Sequence, residues 1–88
     1  MKAILTTIGK DKPGIVAGVS AFLASQEINI LDISQTIMDG NFTMMMMVQL
    51  DENQDFNQLI EQLNQLGKKL DVDINVRNEA LYNAMHQL

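Results

Sequence analysis

The chain of 88 residues has no cysteine and no tryptophan, and only one tyrosine, one proline and one histidine. Without cysteine it has no disulfide, no thiol nucleophile and no cysteine-based zinc site. The single histidine, His86, has no second histidine with which to form a metal site or a nucleophilic triad. The sequence therefore predicts no catalytic residue, no bound metal and no other cofactor.

Positive charge is also scarce, since six Lys and Arg stand against eleven Asp and Glu and the net charge is -5. This balance argues against a general binder of nucleic acid or of anionic membranes. The few aromatic residues also fail to provide the platform on which RNA-recognition sheets stack bases. No apolar run approaches the roughly 18 residues of a membrane span, and the N-terminus lacks the cleavage site of a secretion signal. We expect a cytoplasmic protein that binds neither nucleic acid nor membranes.

The composition is nevertheless that of a folded protein, with 47% hydrophobic and 19% charged residues. This length allows one core, so we predict a single domain over residues 1–88. A domain so small buries only about 60% of the surface that its unfolded chain exposes. Because no disulfide can stabilise it, pairing with a second copy is the simplest way to bury more surface.

The first half of the chain predicts a strand, a helix and a second strand. Ala3–Ile8 is a β-rich run that ends in a glycine-bearing loop. After Pro13, apolar residues recur with helical spacing. A second extended run covers Ile28–Met38. Its apolar residues fall at even positions up to Ile30 and at odd positions after it, which predicts a bulge or bend near Asp32.

The second half predicts a hairpin, a helix and a final strand. Asp39-Gly40 is typical of a two-residue type I′ turn, so the strand Phe42–Leu50 should return beside the second strand. A helical repeat follows and is predicted to stop at Gly67. Leu70–Arg77 alternates apolar and polar residues like a half-buried strand, and a short terminal helix is predicted over residues 81–88.

This βαββαβ order is that of an α+β, ferredoxin-like fold, an antiparallel sheet with two helices on one face. The other face, which carries Thr43, Met45 and Met47, is too apolar to be fully exposed. We expect a homodimer that covers this face or extends the sheet at an edge.

The loop between the first strand and the first helix is a candidate anion site. Gly9 and Gly14 flank it, but Ile15 stands where a nucleotide P-loop needs lysine, so we exclude a P-loop. A helix N-terminus with Lys10 and Lys12 nearby suits a small anion such as a carboxylate. The alternative is a plain turn between a strand and a helix.

Three polar residues could accept hydrogen bonds from an ammonium group beside that anion site, namely Asp11, Asn29 and Asp32. Together they would form an amino-acid receptor, provided that the first loop and the start of the second strand meet in space. The alternatives are local roles: Asp11 caps the first helix, Asn29 belongs to a turn, and Asp32 lies at the bulge.

Several segments in one order and spacing carry a resemblance to a known family. They are Thr7–Val16, Ile28–Ile30, Asp32–Thr36 and Phe42–Met44. Over essentially the whole chain they resemble the ACT domain family, and especially its stand-alone bacterial members of the UPF0237 group. The first half is also similar to the N-terminal ACT domain of the glycine cleavage system repressor.

The resemblance implies the βαββαβ fold and a non-catalytic regulator that pairs through sheet edges or faces. It implies that an amino acid binds where the first loop of one subunit meets its neighbour. Asp11, Gly14 and Asn29 would line this site, and main-chain groups near Ile15 and Ile30 would assist. Amino-acid-binding members often have Asn in place of Asp11, so the carboxylate here must face the ligand's ammonium group. A ligand-free module that docks to a metabolic enzyme or regulator through its sheet is the alternative.

Overall fold

The computed structural model describes residues 1–79 and shows the predicted βαββαβ order. The strands are β1 (Lys2–Lys10), β2 (Asn29–Met38), β3 (Asn41–Gln49) and β4 (Asp73–Asn78), and the helices are α1 (Ile15–Ser25) and α2 (Phe56–Leu70). The ferredoxin-like fold is thus confirmed. The terminal helix predicted over residues 81–88, with His86, lies outside the described residues, so the single domain over the whole chain stays a prediction.

The four strands form one antiparallel sheet in the order β2-β3-β1-β4. In the described part of the chain β2 and β4 are therefore the edge strands. α1 contacts β2, whereas α2 contacts β4. No helix within residues 1–79 is long and apolar enough to cross a membrane.

The core lies between the two helices and one face of the sheet. Alternate residues of a strand share a face, so the β3 residues Phe42, Met44, Met46 and Val48 are all buried there, as their spacing predicts. On the opposite face Met45 and Met47 are half-buried and Thr43 is exposed. The core cluster includes Leu5 of β1, Val19 and Leu23 of α1, Leu59 and Leu63 of α2, and Ile74 of β4.

The bulge predicted in β2 and the turn predicted after it are both confirmed. The pairing of β2 with β3 shifts between Ile30 and Asp32, which makes Leu31 the extra residue of a bulge. Asp39 and Gly40 have φ angles of 54° and 77°, and a type I′ turn requires positive φ at both positions. This turn sets the register by which β2 lies along β3.

The predicted stop of α2 at Gly67 is wrong. The helix continues to Leu70 and ends where Asp71 adopts a left-handed conformation with φ of 58°. Gly67 is required for another reason, because a Cβ there would lie only 2.6 Å from the carbonyl oxygen of Val72. Leu70, which alternation assigned to the last strand, is therefore the last residue of the helix.

Candidate functional site

The loop between β1 and α1 is held on both sides by neighbouring turns. The Asp11 N–H donates to the carbonyl oxygen of Gly40 in the β2–β3 turn, at 2.9 Å. On the other side Lys12 Nζ lies 3.5 Å from both the Asp71 Oδ2 atom and the Asp71 carbonyl oxygen. These contacts fix the path of the loop into α1 and direct Lys12 towards the end of α2, whereas Lys10 is left exposed.

Gly14 occupies the N-cap position before α1, and no side chain caps the helix there. The possibility that Asp11 caps this helix is therefore wrong. Gly14 has φ of 93°, and nothing lies within 4 Å of the position of a Cβ, so the backbone conformation rather than space requires glycine. The first turn carries no acidic residue, and Ile15 is only 2% exposed. The helix thus presents uncapped main-chain N–H groups, which favour an anion, and Ile15 can contribute only through its main chain.

Asn29 lies at the start of β2 with an exposed side chain. Among residues 1–79 its side-chain amide has no hydrogen-bond partner. It borders an open depression of about 470 Å³ that also includes the acidic side chains of Glu27, Asp51 and Glu52. The next residue, Ile30, is half-buried against the core, so it too can offer a ligand only its main chain. The negative charges around Asn29 favour an ammonium group over a carboxylate.

Asp11 and Asn29 lie at opposite ends of the sheet within one chain. Asn29 pairs with Gln49, which pairs with Lys2 at the start of β1. Asp11 follows the last residue of the same strand. Asp11 therefore lies nine strand positions beyond the level of Asn29, which at about 3.4 Å per residue amounts to about 31 Å. A single chain therefore does not assemble the receptor, although each part is exposed.

The free edge of β2 is an apolar surface that sequence reasoning did not place. Ile33 and Ile37 pair with the buried Met46 and Phe42, so they lie on the helix side of the sheet. They nevertheless remain 45% and 55% exposed, because the helices do not cover the outer strand. An edge strand presents unpaired N–H and carbonyl groups with which another chain can pair. The change of apolar residues from even to odd positions in β2 singled out Ile33 and Ile37. Only the strand order shows that they lie at an edge.

The open face of the sheet holds a shallow depression of about 180 Å³. Ile4, Met45 and Met47 form its floor, and Asp32 and Ser34 line it from β2. Within residues 1–79 no group of three or more His, Cys, Asp or Glu side chains is placed to hold a metal ion. The loop, the start of β2 and the β2 edge are therefore the features from which a function can be argued.

Comparison with known proteins identifies the family. The sequence model of the ACT domain matches residues 2–77. The chain belongs to the ACT domain family. This ACT domain is 53% identical over 88 residues to the UPF0237 protein YjhC of Lactococcus lactis, with all of both chains covered. Its fold matches that of an ACT domain protein from Streptococcus pneumoniae with a TM-score of 0.86, at 51% identity over 93% of each chain.

A second structural likeness bears on the similarity noted for the first half of the chain. The fold matches a chain described as a glycine cleavage system transcriptional repressor with a TM-score of 0.80, over 86% of this chain and 45% of that one. The identity is 21%, so this likeness concerns the fold alone. The predicted resemblance to the ACT domain family and to its UPF0237 members is confirmed, and the likeness to the repressor holds for the fold.

Proposed function

We propose that this ACT domain is a non-catalytic regulatory module of the cytoplasm that binds an amino acid between the subunits of a homodimer. The observation that supports it most is the separation of Asp11 from Asn29. When two β2 strands pair antiparallel about a two-fold axis, the start of one strand lies beside the end of the other. The Asn29 side chain of one copy then approaches the Asp11 loop of its neighbour, and each dimer has two such sites.

The charges of this composite site fit a zwitterion. The uncapped N-terminus of α1 beyond Gly14 favours the ligand's carboxylate. The exposed carboxylate of Asp11 has no partner among the described residues and is available to the ammonium group. The Asn29 side-chain oxygen of the second copy can accept from the same ammonium group. The acidic residue in place of the family's common Asn therefore serves the positive end of the ligand.

Ligand binding across the interface would regulate by shifting the association of the two copies. A ligand that binds the dimer alone stabilises it by mass action and changes the surface that other proteins meet. This mode of action requires no catalytic side chain. It agrees with a small domain that leaves an apolar strand edge exposed when it is alone.

The test is a thermal-shift screen of the purified protein against the twenty amino acids. A ligand at 100 times its dissociation constant should add about 2.7 kcal/mol, which raises the melting temperature by about 10 to 20 °C in a domain of this size. Asn29→Ala should abolish the shift. Asn64→Ala, which removes an equally exposed amide from α2, is the matched control and should keep it.

The alternative function is a docking module that binds a protein partner without any small molecule. The exposed isoleucines Ile33 and Ile37 favour it, because an extended segment of another protein could add to the same edge. If no amino acid shifts the melting temperature of the folded protein, the receptor is refuted and this alternative is favoured. If one amino acid shifts the wild type and the Asn29→Ala variant equally, the ligand binds elsewhere.

A further inference from the structure

The open face of the sheet, opposite the helices, differs in exposure between its two ends. Ile4 and Ile8 of β1 both lie on this face, beside Met47 and Thr43 of β3. Ile4 is nevertheless only 7% exposed, whereas Ile8 is 48% exposed. A side chain in the middle of a solvated sheet face has neighbours at its sides but water above it. The low exposure of Ile4 therefore points to a cover over that end of the face.

The helices α1 and α2 do not supply this cover. The core that they form with the sheet includes Ala3 and Leu5, on either side of Ile4 in β1, but not Ile4 itself. Ile4 is flanked in the sheet by Met47, which is half-buried, and by Arg77, which is exposed. The exposure of Ile4 is that of a single copy, so a second copy does not account for it. Its cover is therefore expected in the part of the chain that follows β4.

The chain leaves β4 beside this end of the open face. Arg77 pairs with Ile4, and Asn78, the last residue of β4, pairs with Ala3. Neighbouring strands lie about 4.8 Å apart, so Asn78 lies about 5 Å from β1 and about 10 Å from β3. The apolar depression of about 180 Å³ on the open face includes Ile4 and the nearby methionines of β3. The chain therefore needs to cross only β1 to reach it.

The sequence after β4 has the spacing of a short helix with one apolar side. Its apolar residues recur at intervals of three and four, which places them on one side of a helix; they are Leu81, Ala84, Met85 and Leu88. A helix over these eight positions would be about 12 Å long. That length matches the distance of about 10 Å from β4 to β3.

We propose that residues 81–88 fold back over the open face of their own chain and cover the apolar depression formed by Ile4, Met45 and Met47. This segment follows the strand that ends beside the depression, spans its width and carries four apolar residues in the spacing of one helix side. A protein partner that binds the sheet must then use an edge or displace the segment. The proposal is independent of the amino-acid site proposed above, because no residue of that site lines the depression.

Intrachain cross-linking tests the position of the segment, because the natural chain contains no cysteine. Met45→Cys is combined in turn with Ala84→Cys, Met85→Cys and Leu88→Cys in the full-length protein. At least one pair should form a disulfide within one chain under mild oxidation, which requires Cα atoms about 4.4 to 6.8 Å apart. Asn64→Cys, combined with the same three substitutions, is the control, because Asn64 is exposed on α2 at the other face of the sheet.

The covalent product separates the possible results. A link within one chain that forms faster with Met45→Cys than with Asn64→Cys supports the proposal. A covalent dimer through the same two positions would show that the segment covers a second copy, and it overturns the proposal. The proposal is also overturned if no pair that contains Met45→Cys links faster than its control.

The natural methionines of β3 provide a second test in the full-length protein. Met85→Asp places a charge on the apolar side of the predicted helix, and Asn83→Asp places the same charge on the opposite side. Met85→Asp should raise the rate at which dilute hydrogen peroxide oxidises Met45 and Met47 to the sulfoxide by at least about threefold, because oxidation follows exposure. Asn83→Asp should leave this rate unchanged.

The other methionines are internal references for this test. Met38 is already 71% exposed, whereas Met44 and Met46 are buried in the core. A faster oxidation confined to Met45 and Met47 supports the cover, and an unchanged rate at both overturns it. If Met44 and Met46 also react faster, the variant has unfolded, and the cross-linking of the full chain decides.

Discussion

Gly67→Ala tests the close approach between α2 and the chain that follows it. In the interior of a helix alanine is normally more favourable than glycine by about 1 kcal/mol. Here its Cβ would lie 2.6 Å from the carbonyl oxygen of Val72. That oxygen cannot simply move aside, because the Val72 N–H donates to the Gly67 carbonyl at 2.8 Å and the Asp71 N–H donates to Lys68 at 3.3 Å. These two bonds form the Schellman motif that ends the helix.

We expect a net loss of about 2 kcal/mol from the free energy of unfolding. Overpacking in a closely packed site costs about 1 to 3 kcal/mol, and a weakened hydrogen bond at the end of the helix adds about 1 kcal/mol. Subtracting the gain in helix propensity leaves the net value. In a domain of this size each 1 kcal/mol lowers the melting temperature by about 4 to 8 °C. The midpoint should therefore fall by about 8 to 16 °C.

The assay is thermal and urea unfolding followed by circular dichroism, with two comparisons. Asn64→Ala lies on the exposed side of the same helix, and it should keep or slightly raise stability. Gly9→Ala meets the same residue differently, because its Cβ would lie 2.7 Å from the Val72 Cγ1 atom. Val72→Ala should therefore partly relieve Gly9→Ala but not Gly67→Ala, whose obstacle is a main-chain oxygen. A Gly67→Ala variant as stable as the wild type would refute the close approach.

Two further predictions concern a buried hydroxyl group and a helix cap. Thr7 is fully buried, and within residues 1–79 its Oγ1 atom has no hydrogen-bond partner. Thr7→Val should raise the melting temperature, because a buried unpaired hydroxyl costs about 1 to 3 kcal/mol; a lower melting temperature would contradict this reasoning. Asp55→Ala should cost about 1 kcal/mol in urea unfolding, because Asp55 Oδ1 accepts from the Asn57 and Gln58 N–H groups at 3.0 and 3.2 Å. Glu52→Ala, in the same loop, should change stability by less than about 0.5 kcal/mol, and an equal loss in both variants would exclude capping as the cause.

Signals carried by a few neighbouring residues predicted the local structure well. Asp39-Gly40 indicated the hairpin because few other residues adopt positive φ at two successive positions. The change of apolar residues from even to odd positions after Ile30 indicated the bulge, because side chains in a strand alternate between faces.

The same local reasoning failed where the role of a residue depends on a contact with a distant part of the chain. Glycine commonly ends a helix, but Gly67 lies inside α2, where glycine is required because Val72 passes close to the helix. Asp11 precedes a helix and has the chemistry of a cap, but Gly14 occupies the N-cap position of α1. The Asp11 main-chain N–H instead donates to the distant Gly40. Neither contact can be predicted from the spacing of residues along the chain.

The amino-acid sequence by itself determined the order of the elements, the turns between them and the faces that their side chains share. These follow from backbone conformation and from periodicity, which act over a few residues. Only the tertiary structure decided that β2 lies at an edge of the sheet and that Ile33 and Ile37 remain exposed. It also decided that Asp11 and Asn29 lie at opposite ends of one chain, because their separation depends on how β1, β3 and β2 align. Strand order and register are long-range properties, and they explain why the proposed site needs a second copy.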